Sequence, residues 1–231
     1  MSSILKDFKT IYREQGAYHR QAEGFKAWFL EDNYRAIASR LPARGEILDL
    51  ACGEGCLADG IGEQRLVGVD YSPDALRLNR ELCGRYAELH LGDMARLGEL
   101  PFRDGQFDAV VCSLSLMYLQ GEGLRRCLGD VRRFLRPGGP FIFTYPTVSA
   151  QRKANPEAVE LEPPVLRRVL EAAGFTIEEL SPFVPLVPKE IVDQSMREPT
   201  RAAARAAYDA AKATLTLATS YHFVCVAGAP R

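Results

Sequence analysis

The stretch Ile47-Leu48-Asp49-Leu50-Ala51-Cys52-Gly53-Glu54-Gly55-Cys56-Leu57-Ala58 constrains this chain more than any other. It reads as a short apolar strand, a Gly-rich turn and a helix start. The small residues follow G-x-G-x-x-A, through Gly53, Gly55 and Ala58. That spacing allows a tight turn, a close approach of ligand to the main chain, and close packing of helix on strand. A bare strand-to-helix turn has the same outline. The second strand, Leu66-Val67-Gly68-Val69-Asp70, favours the ligand reading. It ends in an acid about 20 residues after the turn, where a ribose-binding acid belongs in a dinucleotide-type fold.

The rest of the chain continues the alternation. Ser72-Pro73-Asp74 opens a helix, with Ser72 as cap and Pro73 at the first helical position. Ala75, Leu78, Leu82 and Tyr86 form its expected apolar stripe. Further strands are expected at residues 87–91, 107–112, 140–145, 175–180 and 221–227. Helices are expected at about 55–62, 122–135, 163–173 and 200–216, and Pro182, Pro185 and Pro188 are expected to break regular structure. Strands alternating with helices predict a mostly parallel sheet covered on both faces.

Residues 4–40 are expected to be mostly helical, with Phe25, Trp28, Phe29, Ile37 and Leu41 on a packed face and a break at Gly16. The segment over residues 11–19, which that break divides, is either a mobile lid or a surface helical hairpin. One domain is expected over residues 1–231: a helical lid at 1–45, a ligand-binding core at 46–182, a helical insertion at 183–219 and the final strand at 220–231.

Composition enters by exclusion. A formal net charge of -1, with no long Lys/Arg run, gives no electrostatic reason to expect a nucleic-acid or membrane partner. No stretch resembles a signal peptide or a membrane span. The six cysteines show no C-x-x-C pair or zinc spacing and read as reduced, buried residues of a cytoplasmic protein. No metal site is expected.

Five ordered motifs carry a resemblance: residues 47–55; Gly68-Val69-Asp70-Tyr71-Ser72-Pro73; Gly92-Asp93-Met94; Leu100-Pro101-Phe102 with Phe107-Asp108; and Phe134-Leu135-Arg136-Pro137-Gly138-Gly139. Together they resemble the class I S-adenosylmethionine-dependent methyltransferases, most closely the small-molecule branch with ubiquinone and menaquinone biosynthesis enzymes. The resemblance covers residues 46–145. It implies a Rossmann-like, doubly wound α/β fold with a seven-stranded, mostly parallel sheet and an antiparallel final strand.

The resemblance also implies roles. Asp49 would organise the methionine part of S-adenosyl-L-methionine, and Ala51 and Gly53 would offer it backbone. Asp70 would accept from the ribose hydroxyls. Tyr71 would flank the adenine, Asp93 would accept from its amino group, and Met94 would pack on the ring. Ser113 would lie near the transferred methyl. The chemistry agrees, because ribose hydroxyls and an adenine amino group need acceptors at the strand ends. Asp49 and Glu54 around the turn would instead repel a pyrophosphate, which argues against an NAD-dependent oxidoreductase. Two simpler roles stay open: a cap of the Ser72 helix for Asp70, and a turn residue for Asp93. Asp108 is expected to hold backbone at a strand start and Cys52 to pack.

The expected reaction is in-line methyl transfer to a small-molecule acceptor. A non-catalytic S-adenosylmethionine-binding protein is the other alternative. In many relatives a His occupies the region of Tyr118, so a base there is in doubt. The catalytic residues are not identifiable from sequence. Candidates to touch the acceptor are Tyr18, His19, Tyr118, Tyr145 and His222, while His90 is expected to be packed or solvent-facing. The apolar run Pro185-Leu186-Val187-Pro188 suggests that the insertion forms a pocket wall or a dimer contact; a stabilising surface helix fits equally.

Overall fold

A computed structural model describes residues 8–146 and 162–229. The expected helix start at residues 4–7 and the last two residues of the final strand region lie outside this range. Seven strands form one sheet: β1 (Glu46–Leu50), β2 (Arg65–Asp70), β3 (Tyr86–Leu91), β4 (Ala109–Cys112), β5 (Pro140–Pro146), β6 (Thr176–Pro185) and β7 (Ser220–Gly228). Their order is β3-β2-β1-β4-β5-β7-β6. The pairs among β1 to β5 are parallel. β7 runs antiparallel to both β5 and β6 and lies between them. This is the doubly wound sheet with an antiparallel final strand expected from the sequence.

Side-chain alternation divides the core. On β1, Leu48 and Leu50 face one layer, packed with Val110, Phe141 and Phe143. Ile47 faces the other, with Ala109, Val111 and Ile142. Helix α4 (Gly121–Phe134) covers the first face, burying Leu124, Cys127, Leu128, Val131 and Phe134 at helical spacing. Leu166 and Leu170 of α5 (Pro163–Ala172) join it. The opposite face is covered by α2 (Gly24–Ala38) and α7 (Arg201–Lys212), through Ile37 and Tyr208. Between β6 and α7 lies the short α6 (Lys189–Ser195).

The order of the strands positions the site. The chain winds one way from β1 through β2 to β3, then crosses back to β4 on the other side of β1. The carboxyl ends of β1 and β4 therefore flank a topological switch point, where open α/β sheets bind ligands.

Local structure departs from expectation in four places. The helix after the Gly-rich turn is only a 3-10 segment, Cys56–Gly60; Gly60 and Gly62 disfavour its continuation. The helix capped by Ser72, α3 (Pro73–Leu78), passes into a π turn, Asn79–Cys83, ended by Gly84. That turn buries Asn79 and leaves Leu82 about half exposed, so the expected stripe does not form and Tyr86 begins β3. Strand β6 runs on through Pro182 to Pro185, with register shifts around these residues. It is an edge strand, where a missing N–H loses no ladder bond on the open side. Helix α7 ends at Lys212, short of the expected 216.

The N-terminal segment is not a surface hairpin. Helix α1 (Phe8–Gln15) buries Tyr12 against Ala75 and Leu78 of α3. The break at Gly16 widens to residues 16–23 before α2 begins. Asp108 holds backbone as expected: its Oδ2 accepts from the Glu46 N–H at 2.7 Å, and Arg136 pairs with its other oxygen.

Candidate active site

The Gly-rich turn is held in an unusual backbone conformation. Gly53 and Gly55 have φ of 53° and 80°, and Ala51, which carries a Cβ, has φ of 56°. Three groups pin the turn. The Cys52 N–H donates to the Val69 carbonyl at 3.1 Å. The Gly53 N–H donates to Asp70 Oδ2 at 2.9 Å. The Gly53 carbonyl accepts from Asn79 Nδ2 at 3.2 Å. Left-handed backbone at a non-glycine residue costs of order 1–3 kcal/mol and persists only where surroundings over-determine it. Here Asp70 and the π turn provide that restraint.

Asp70 is 4% exposed, and its Oδ1 also accepts from the Ser72 N–H at 2.9 Å. Both the ligand reading and the capping reading are therefore compatible with its place. The two carboxylate oxygens offer about four lone-pair sites, which the backbone N–H groups do not fill. Burial raises the Asp70 pKa, against the backbone hydrogen bonds from Ser72, Gly53 and Tyr71 that lower it. Asp49 lies beneath the same turn, 2% exposed, and accepts from the Tyr86 hydroxyl. Burial pushes its carboxyl up to about 7; the Tyr86 hydrogen bond opposes the rise and Asp70 adds to it.

Glu54 is also buried, and burial raises its pKa. It does more than shape the turn's charge. Its Oε1 accepts the Arg20 N–H at 2.7 Å, and the Arg20 guanidinium reaches Asp59 at 2.9 Å and the Gly55 carbonyl at 3.4 Å. Glu54 thus clasps the N-terminal segment onto the turn. The Tyr12 hydroxyl lies so close above Gly53 that any Cβ there would collide with it.

The ends of β3 and β4 complete the floor. Asp93 caps the 3-10 segment Met94–Glu99, its Oδ1 accepting the Ala95 N–H at 2.8 Å. The turn role is thus real, and Asp93 still lines the cavity described next. Past β4, Leu114 has φ of 52°, a strained value for a branched side chain. Its N–H donates to Thr144 Oγ1 at 3.0 Å. Asn33 Nδ2 donates to Ser113 Oγ at 2.8 Å, and Ser115 Oγ donates to the Ser113 carbonyl at 3.0 Å.

These elements enclose a cavity of about 530 Å³. Its lining includes Asp49, Ala51, Gly53, Asp70, Tyr71, Asp93, Met94 and Ser113, all eight residues expected at a cofactor site. Tyr18, His19, Tyr118 and His222 line it too. Tyr145 does not: it is 1% exposed and packs among Phe143 and Phe223. No insertion residue is in the described lining, so the expected pocket wall is absent there. The insertion instead packs on α2, where Asp32 accepts from the Tyr208 hydroxyl and Lys212 Nζ, each at 2.6 Å. His90 is half-buried, its ring edge-on to Phe102. Cys52 is buried, and burial raises its pKa. Among the described residues no cluster could hold a metal, and no helix is long and apolar enough to cross a membrane.

Residues 47–139 match the family model for a methyltransferase domain. Over that stretch the chain is similar to methyltransferase domains. The Bacillus subtilis protein YqeM is 32% identical over 145 residues, covering 61% of this chain and 54% of that protein. A demethylmenaquinone methyltransferase of Tropheryma whipplei is 31% identical over 132 residues, 51% of this chain and 52% of the enzyme. This chain thus spans about half the length of these curated relatives. Two solved structures share the fold. The PH0226 protein of Pyrococcus horikoshii aligns with a TM-score of 0.64 at 21% identity, over 96% of this chain and 99% of that one. The 1,6-didemethyltoxoflavin-N1-methyltransferase of Burkholderia thailandensis, solved with S-adenosylhomocysteine, aligns with a TM-score of 0.62 at 17% identity, over 97% and 86%.

Several lining residues lie outside the sequence motifs: Phe8, Tyr12, Lys26, Phe29, Tyr34 and Met117. At helical spacing, Phe29 and Tyr34 look like core residues. Only the packing of α2 across the sheet end turns them toward the cavity. Asn33 and Asn79 go unnoticed for a related reason, since isolated buried amides carry no sequence signal.

Proposed function

We propose that this protein transfers a methyl group from S-adenosyl-L-methionine to a small-molecule acceptor. The observation that carries the reading is a set of acids without a phosphate cradle. Asp49, Glu54, Asp70 and Asp93 line one cavity, and Lys26 is the one Lys or Arg among its described lining residues. Burial raises the pKa of Asp49, Glu54 and Asp70, so a cationic ligand would relieve that cost. A pyrophosphate would aggravate it.

The turn points the same way. Dinucleotide sites use a helix N-terminus and open space over the second glycine. Here the turn leads into five residues of 3-10 helix, and the Asn79 and Cys83 side chains fill the space over the second glycine, Gly55. This disfavours a nicotinamide oxidoreductase.

On this reading Asp70 accepts from the ribose on the acceptor capacity that the backbone N–H groups leave. Tyr71, Asp93 and Met94 hold the adenine at the end of β3. Asp49, beneath the turn, favours a nearby positive charge. The bound cofactor supplies an electrophilic methyl with a neutral thioether leaving group. The chain then has to orient the acceptor and exclude water, tasks that carry much of the rate in such a transfer.

The acceptor compartment is rich in rings: Phe8, Tyr18, Phe29, Tyr34, Tyr118 and His222 line it. That suits a small, flat, largely apolar acceptor. Burial pushes the His222 pKa down to about 3, so its imidazole stays neutral and orients the acceptor through hydrogen bonding. An acceptor that must lose a proton has His19, whose ring centroid lies 4.0 Å from that of Tyr18 with the planes tilted by 42°.

The test is thermal shift with S-adenosylmethionine, S-adenosylhomocysteine and NAD, with mass spectrometry of ligands retained through purification. Stabilisation by the first two and not by NAD is expected. Stabilisation by NAD alone overturns the reading. Binding with no methyl transfer to any retained or supplied acceptor favours a non-catalytic binding protein.

A further inference from the structure

Asn33 lies on α2, outside the motif region, and its residue is fully buried. Nδ2 donates to Ser113 Oγ at 2.8 Å, while Oδ1 is buried without a hydrogen-bond partner among the described residues. A buried polar atom left unsatisfied costs about 1–3 kcal/mol. An apolar residue here would avoid that cost, so the amide needs a reason beyond packing.

The hydrogen-bond polarity supplies one. A serine hydroxyl has one hydrogen and two lone pairs. With Asn33 donating to the oxygen, the Ser113 hydrogen is not spent on Asn33 and remains available as a donor. Ser113 lines the cavity, whereas Asn33 is not among its lining residues. The adjoining backbone is held independently: Leu114 N–H on Thr144, Ser115 on the Ser113 carbonyl. The turn is therefore fixed, and Asn33 acts on the hydroxyl itself.

The strand order indicates what that hydroxyl meets. Asp93 follows β3, Asp70 ends β2, the Gly-rich turn follows β1 and Ser113 follows β4. A nucleoside whose base is at β3 and ribose at β2 extends its 5′ substituent past β1 toward β4. We propose that Asn33 is a positioning residue that sets the Ser113 hydroxyl as a hydrogen-bond donor to the carboxylate at the amino-acid end of the methyl donor. This rests on the proposed function.

Asn33 itself is held from behind. Its neighbour Asp32, 4% exposed, carries the hydrogen bonds from Tyr208 and Lys212 of α7. The helical insertion therefore fixes the helix that carries Asn33, which gives it a role at the site without lining it.

The test compares two ligands by calorimetry. S-adenosylhomocysteine carries the amino-acid end; 5′-methylthioadenosine shares the nucleoside and thioether but lacks it. Asn33→Ala and Asn33→Asp are expected to weaken S-adenosylhomocysteine about tenfold, as for loss of one charge-assisted hydrogen bond, and to leave 5′-methylthioadenosine unchanged. Asn33→Asp is near-isosteric and can only accept, so it turns the Ser113 hydrogen toward itself. In a Ser113→Ala background, Asn33→Asp should have no further effect. Equal weakening of both ligands, no weakening, or an undiminished effect without the serine hydroxyl overturns the proposal. Should the Asn33 variants unfold, Ser113→Ala alone must still discriminate between the ligands; if it does not, the proposal fails. Failure of the unaltered protein to bind either ligand would instead overturn the methyltransferase reading.

Discussion

Replacing Asp49 by Asn tests the electrostatics of the site without any ligand. The Asp49 carboxyl is 2% exposed, and burial raises its pKa from 3.8 in a free chain to about 7. A carboxyl with a raised folded pKa binds its proton more tightly in the folded state. Its contribution to stability is fully present below about 3.8 and is lost as pH rises through about 7. At about 1.4 kcal/mol per tenfold, the whole interval corresponds to about 4 kcal/mol, of which about 3 kcal/mol falls between pH 5 and 8. Asparagine can still accept from Tyr86 but has no such titration. Its buried amide N–H groups add a cost of about 1–3 kcal/mol that is the same at every pH. Asp49→Asn should therefore gain about 3 kcal/mol on the unaltered protein between pH 5 and pH 8, lying near it at pH 5 and above it at pH 8. Urea unfolding at 25 °C, repeated at half-unit pH steps on both proteins, reads the difference directly. Asp70 and Glu54 titrate in both proteins and largely cancel. A stability difference that stays constant within about 0.5 kcal/mol from pH 5 to 8, or that slopes the other way, would refute the assignment of a raised pKa to Asp49.

The remaining expectations concern the parts that surround the cavity. Glu54→Ala removes the acceptor of the Arg20 N–H, so trypsin cleavage after Arg20 should accelerate about tenfold in a timed digest; an unchanged rate would mean the clasp does not hold the segment. At Leu114, with φ of 52°, substitution by Val should destabilise by at least about 1 kcal/mol more than substitution by Gly in urea melts, and the reverse order would show that packing outweighs backbone strain. Tyr208→Phe deletes the hydroxyl that donates to Asp32 and should cost about 1.5–3 kcal/mol, measured by the same melts; a loss below about 0.5 kcal/mol would show that Lys212 alone satisfies the carboxylate.

Much of the strand-end half of the cavity is legible in the sequence. Its residues sit at the carboxyl ends of consecutive parallel strands, so one strand-turn alternation locates Asp49, Asp70, Asp93 and Ser113 together. All four line the cavity. The signals that mislead are of two kinds. Glycine and proline read as local punctuation, yet Pro182 and Pro185 lie within β6 because it is an edge strand with one neighbour. Helical spacing at Ala75, Leu78 and Leu82 presumes an unbroken α-helix, and one π turn rotates Leu82 out and Asn79 in.

By itself the sequence determined the sheet and the turn at its switch point. Apolar runs of strand length, closed by glycines and acids, have few ways to bury their surface other than in a parallel sheet with covered faces. The ring-lined part of the cavity was decided only by tertiary structure. Phe8, Tyr12 and Tyr18 belong to a segment whose local pattern suits a lid and a surface hairpin alike. Glu54, Arg20 and Gly53 choose between them, through contacts 34 or more residues apart in the chain. The same holds for Asn33 and Ser113, 80 residues apart, whose hydrogen bond forms only because α2 crosses the end of the sheet beside β4. Periodicity records which face of an element is buried. It carries no information on which buried polar groups will meet, because that depends on how elements distant in sequence dock against one another.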